Sequence, residues 1–225
     1  MRAVMVSQKP LLCENIANGK KTILITKTKP NIETPFKCYI YCTKAKTIGD
    51  IILCKSEENA KLFGHNAVIG INKGFSEKED INLKGKVIGE FVCDKIYDIE
   101  PHYDIPTFCN QYVCGWNAGD EDDCISFSDF DAYLGGKHGY GWHISDLKIY
   151  DKPKELSEFF TADKEAIRHC ENREQTYFAF TDTGYIKNGF VCKKYEDEWC
   201  FRCRTKPMSN PPSPWCYIVG VTDDE

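Results

Sequence analysis

Alternating apolar and polar side chains mark most of this chain as short β-strands, because successive residues of a strand point to opposite faces. Residues 3–7 form the first, and a second, 22–28, follows a brief amphipathic helix over 9–18 that gathers Leu11, Leu12 and Ile16 on one face. Asn18 and Gly19 supply the chain reversal that ends the helix. Residues 36–43, led in by a turn at Thr34 and Pro35, alternate again. Cys38, Ile40 and Cys42 share one face and Tyr39 and Tyr41 the other, which predicts the two cysteines as core fillers. The clearest strand covers 85–97, with Val87, Gly89, Phe91 and Cys93 on one side and Ile88, Glu90 and Val92 on the other.

Elsewhere the pattern weakens. Residues 47–82 are polar and less periodic; they read as an insertion between strands, with a candidate helical turn at 57–63. Residues 115–123 read as loop, and 126–133 as the start of a helix with Ser126 as N-cap. The stretch 134–143 holds four glycines beside Tyr140, Trp142 and His143, so its backbone can approach a ligand closely while the rings offer flat faces. A strand is expected over 144–150, and 152–160 reads as the way out of the main fold. Beyond it come a short helix at 164–173, a hairpin pairing 176–180 with 189–194, a proline-stiffened connector at 207–214 and a last strand at 215–221.

A chain of 225 residues can bury a sizeable core, and its net charge of -5 argues against a general nucleic-acid coat. The distribution changes that picture. Residues 1–50 carry nine Lys/Arg against three Asp/Glu, a net of +6, whereas 94–131 carry one against ten, a net of -9. One side is thereby suited to phosphate and another repels it. Residues 1–6 are too short for a signal-peptide core and no apolar run is long enough for a bilayer, so the sequence predicts a cytoplasmic protein with no membrane partner. Its 13 cysteines are then expected reduced, as core residues, metal ligands or reactive thiols.

Gly19, Lys20, Lys21, Thr22 and Ile23, a glycine-lysine turn running into a strand, resemble the signature of the ASCH family of PUA-like barrels. The resemblance continues through 84–96, 141–153 and 211–217, blocks similar to ASCH proteins of phages and prophages of Gram-positive bacteria. It implies an α+β fold: a PUA-like β-barrel with flanking helices over 1–160, an inserted loop region near 100–140, and a cysteine-rich addition over 161–225 whose final strand returns to the barrel. Two positions depart from the family. Leu24 stands where it usually has glutamate or threonine, and Thr26 where it usually has arginine.

A nucleobase pocket needs a cation, an aromatic surface and polar groups that read a base edge. Lys20, Lys21, Thr22, Tyr140, Trp142 and His143 are the parts present, and the resemblance implies that Lys21 reaches into the pocket. The implied function is binding of RNA, a nucleotide or a modified nucleoside. A second reading is an amidohydrolase acting on N-acylated cytidine, with Lys21, Glu90 and His143 as catalytic residues, and ribonuclease activity is a further option within the family. With Leu24 replacing a polar group, that chemistry would need substitutes. A third reading is a phage-type module with a vestigial pocket that binds a host protein. Independently, Cys200 and Cys203 have the two-residue separation of half a zinc site; with Cys216 and one of Cys192, Cys170 or His169 they could hold a structural zinc ion that staples the addition, the competing reading being buried thiols among Trp199, Phe201 and Trp215.

Overall fold

The computed structural model describes residues 3–46, 49–53, 68–72, 81–100, 132–163, 173–178, 187–192 and 205–221. The chain opens with β1 (Ala3–Gln8), α1 (Pro10–Ala17), β2 (Ile23–Thr26) and β3 (Phe36–Cys42). Pro10 at the first turn of α1 forfeits no hydrogen bond, and Gly19, at φ +72, takes the left-handed conformation that ends it. Next come β4 (Gly49–Leu53), β5 (Val68–Asn72), β6 (Ile81–Asn82), β7 (Lys86–Cys93), β8 (Ile96–Ile99), β9 (Gly139–His143) and β10 (Ser145–Glu155). The last strands are β11 (Phe159–Ala162), β12 (Arg173–Phe178), β13 (Lys187–Cys192), β14 (Thr205–Pro207), β15 (Trp215–Ile218) and β16 (Gly220–Val221). No helix among the described residues is long and apolar enough to cross a membrane.

The chain divides into two compact units, residues 1–156 with 211–216, and residues 157–210 with 217–225. In the first, the main sheet has the order β10-β7-β3-β1-β15, with β1 parallel to β3 and β3, β7 and β10 antiparallel in turn. The 211–216 segment is fixed to β1 by Ser7, whose N–H donates to the Pro214 carbonyl at 2.9 Å and whose Oγ donates to the Pro212 carbonyl at 2.7 Å. Two three-stranded sheets, β2-β9-β8 and β5-β4-β6, complete this unit. In the second unit β12 and β13 form an antiparallel hairpin, Arg173 opposite Cys192, and β11 lies between β14 and β16.

Four expectations are revised. The strands form separate open sheets, and no closed barrel is found among the described residues. The segment read as a polar insertion at 47–82 carries β4, β5 and β6, and Ile51, Leu53 and Val68 join the core cluster. Asn18 fixes this sheet to the end of α1: its Oδ1 accepts from the Val68 N–H at 3.3 Å and its Nδ2 donates to the Val68 carbonyl. Residues 152–155 continue β10 and do not leave the fold; Pro153 is accommodated because β10 is an edge strand with a register shift between Ile149 and Lys154. Ile88 packs with Phe91 and Cys93 in the core, not on the Glu90 side, because a register shift between Ile40 and Tyr41 interrupts the alternation of β7.

The core fillers expected at Cys38 and Cys42 are fully buried, as are Cys13 and Cys93. Burial pushes the Cys93 thiol up to about 12, well away from the thiolate that reactive chemistry needs. The hairpin is present two to three residues earlier than its alternation implied. The helical turn at 57–63, the loop at 115–123, most of the helix at 126–133 and the helix at 164–173 fall outside the described residues.

Candidate functional site

The sheet β2-β9-β8 brings together segments more than a hundred residues apart. Ile23 pairs with His143, Leu24 with Trp142, Ile25 with Gly141 and Thr26 with Tyr140, while β8 sets Ile96 against Trp142 and Asp98 against Tyr140. One residue beyond the ladder, the Ile144 N–H donates to the Thr22 carbonyl at 2.9 Å, so the glycine-lysine turn lies alongside the aromatic strand.

The side chains divide unequally within that arrangement. Lys20 and Thr22 are exposed, and Tyr140 and His143 are half-buried. Trp142 is fully buried: its ring meets Phe36 edge-on at 5.7 Å and Trp215 at 5.9 Å, so it offers no stacking face to solvent. Lys21, in the loop between α1 and β2, is 5 % exposed and so not a solvated lysine, with its backbone N–H donating to the Asn15 carbonyl at 2.9 Å. The two departures from the family pattern have a physical account. Leu24 is buried in the core cluster with Trp142. Thr26 is buried and donates from Oγ1 to the Thr28 carbonyl at 2.7 Å, while Thr28 Oγ1 accepts from the Trp215 indole at 3.0 Å.

His143 gains a partner that no sequence spacing pointed to. Its Nδ1 lies 2.6 Å from Asp94 Oδ1. The His143 hydrogen bond holds Asp94 below the usual carboxylate range. An aspartate on one ring nitrogen fixes tautomer and orientation, leaving Nε2 to donate to or accept from a ligand. Glu90 belongs to a different surface. It lies four residues up β7 from Asp94, about 13 Å along a strand, and its two oxygens accept from Lys37 at 3.0 Å and Tyr150 at 2.7 Å. Burial pushes its carboxyl up, but the hydrogen bonds from Tyr150 and Lys37 outweigh that and hold it below the ordinary value, a poor setting for a general base at neutral pH.

A carboxyl depressed in the native state stabilises fully above its unfolded pKa and loses that contribution as pH falls through the native one. The wild type is therefore expected to weaken below about pH 4.3, and Glu90→Gln, which has no such proton to take up, to show a flatter acid limb in urea midpoints. An unchanged acid limb would remove Glu90 from this role.

Lysines at the sheet margin sit over tyrosine rings: Lys27 over Tyr133 at 5.0 Å, Lys29 over Tyr140 at 4.8 Å and Lys95 over Tyr97 at 4.4 Å. Sequence reasoning missed all three: Lys27, Lys29 and Lys95 lie outside the strands, where alternation gives no facing. A cleft of about 760 Å³ lies beside them, lined by residues 29–36 together with Lys95 and Ile96. Of the proposed zinc ligands, Cys200 and Cys203 fall outside the described residues, Cys192 is placed by its backbone in β13, and Cys216 is half-buried with its thiol pushed up to about 11 by burial. Among the described residues no three His, Cys, Asp or Glu side chains come together as a metal site.

No family model matches the chain, and no curated protein matches it. Among solved structures it is similar to the ASCH protein of Zymomonas mobilis, at 14 % identity and a TM-score of 0.39 over 68 % of this chain and 73 % of that one. Two single-residue variants of that protein align at 13 % and 14 % identity, both with a TM-score of 0.40 over 68 % of this chain and over 76 % and 74 % of theirs. Similarity at this level leaves fold class and function to be argued from the chain itself. The phage and Gram-positive affinity finds no support in these matches.

Proposed function

We propose that the protein binds single-stranded RNA or a nucleotide at the margin of the β2-β9-β8 sheet. The observation that carries this reading is the set of lysine–tyrosine pairs, Lys27–Tyr133, Lys29–Tyr140 and Lys95–Tyr97, around one sheet. Single-stranded nucleic acid needs cations for its backbone and rings for its bases, and a lysine parked on a tyrosine supplies both once a base displaces it. Exposed Lys20 and Thr22 and the outer nitrogen of His143 lie at the other end of the same sheet, the end where the His143 backbone N–H donates to the Lys95 carbonyl, and add polar contacts there. The glycine-lysine turn and the strand blocks that resemble ASCH proteins agree with this reading. Trp142 and Lys21 support the sheet from within.

Phosphate contacts on a single strand release counterions with a slope of about -0.7 per phosphate in log K against log salt. A fluorescein-labelled single-stranded RNA should therefore bind with steep salt dependence. Replacing Lys27, Lys29 and Lys95 together by glutamine should flatten that slope by roughly 2, three phosphates' worth. Binding that ignores salt, or a triple variant that binds like the wild type, would reject the assignment.

A further inference from the structure

The cleft beside the sheet is lined by none of the residues that the glycine-lysine signature singles out. It is built from the 29–36 connection between β2 and β3 and from Lys95 and Ile96 at the corner between β7 and β8. Its volume, about 760 Å³, lies within the roughly 300–1,000 Å³ of small-molecule sites. Two kinds of surface meet there. Ile32, Ile96 and Phe36 are apolar, and Phe36 is held rigid by β3 and by its edge-on contact with Trp142 at 5.7 Å. Lys29 and Lys95 bring one ammonium from each segment, against the single carboxylate of Glu33.

Neither cation is locked in place. The ion pair from Lys29 to Asp98, 3.4 Å long, is half-exposed on both sides, and pairs of that kind contribute little and exchange readily. Lys95 is exposed and lies over the Tyr97 ring at 4.4 Å, a cation–π contact that is weak at an exposed site. Two ammonium groups suit a dianion better than a monoanion, since lysine acts as a point charge whose attraction grows with the charge it meets. The apolar lining takes a flat ring system.

We infer that this cleft binds a phosphomonoester carried on a nucleoside, either a free nucleoside monophosphate or the 5′-phosphorylated end of an RNA strand. The inference rests on the nucleotide reading of the neighbouring sheet and gives it a preferred terminus. The phosphate bridges Lys29 and Lys95, and the base lies against Ile32 and Ile96.

Calorimetric titration with adenosine 5′-monophosphate, with adenosine and inorganic phosphate as controls, tests it. The monophosphate should bind at least tenfold more tightly than either half alone. Lys29→Gln and Lys95→Gln should each weaken it at least tenfold, while Lys152→Gln, exposed on β10 and outside the cleft, should not; near-UV circular dichroism verifies that each variant is folded. A short RNA that competes with the monophosphate when 5′-phosphorylated but not when 5′-hydroxyl identifies the strand end as the source, and competition by neither identifies the free nucleotide. Failure of the monophosphate to bind, or cleft variants that bind it as tightly as the wild type, overturns the inference. If salt-dependent RNA binding to the wild type survives that failure, the sheet reading stands without the cleft; if it too is absent, both fall.

Discussion

Replacing Trp142 by alanine is expected to cost about 3–5 kcal/mol, enough to leave a domain of ordinary stability close to unfolding. The indole is fully buried on the central strand of the β2-β9-β8 sheet, between Leu24 and Ile96 across the ladder, with Phe36 and Trp215 against its faces. No shift of an edge strand can fill the space it would leave. Trp142→Phe should be far milder. The Trp142 indole N–H finds no hydrogen-bond partner among the described residues, so phenylalanine loses volume but also relieves a buried donor, a penalty of about 1–3 kcal/mol in such settings. Urea midpoints of the two variants give the comparison. A loss under about 1 kcal/mol for the alanine variant, below what truncating a buried aromatic ring costs, would mean that the ring is not core. It would return Trp142 to the ligand-stacking role that its sequence context implied.

That ring shows where the sequence was readable and where it was not. Alternation located β1, β3 and β7 and assigned Cys38 and Cys42 to the core, because those strands are buried on a continuous face and the period of two is visible in the residues themselves. It failed at Ile88, where a register shift against β3 reverses the faces, an event determined by the partner strand and absent from the local pattern. It failed at β4 and β5, whose apolar runs, Ile51 to Leu53 and Val68 to Ile71, are short and set in polar surroundings. For the site, the juxtaposition of Lys20 and Thr22 with Tyr140 and His143 emerges only from the pairing of β2 with β9. The exposure of each side chain was less legible still. A glycine-rich, aromatic stretch reads equally well as a ligand surface or as a strand packed on its neighbours, and Trp142 takes the second role while Tyr140 is left half-exposed. Asp94, 49 residues from His143 in sequence, could be matched to it only in space.

Gly89→Val should destabilise the first unit by about 3 kcal/mol, the upper end of what overpacking costs, through a close approach and not through backbone strain. Gly89 lies in the middle of β7, between Ile40 of β3 and Ile149 of β10. A Cβ there would sit 2.4 Å from the Lys148 carbonyl oxygen and 3.1 Å from Ile149 Cα, so backbone and not a flexible side-chain end must give way. The only relief is for β10 to move off β7, which would also disturb the bond from Tyr150 to Glu90. Gly220→Ala is the matched control, since its Cβ would meet nothing within 4 Å. In urea titrations the valine variant should lose midpoint with a slope near wild type, and its acid limb should flatten as that of Glu90→Gln does, because the carboxylate loses its Tyr150 donor. A valine variant as stable as the alanine control would show that β7 and β10 do not approach this closely, and the register that places Glu90 beside Lys148 would have to be redrawn.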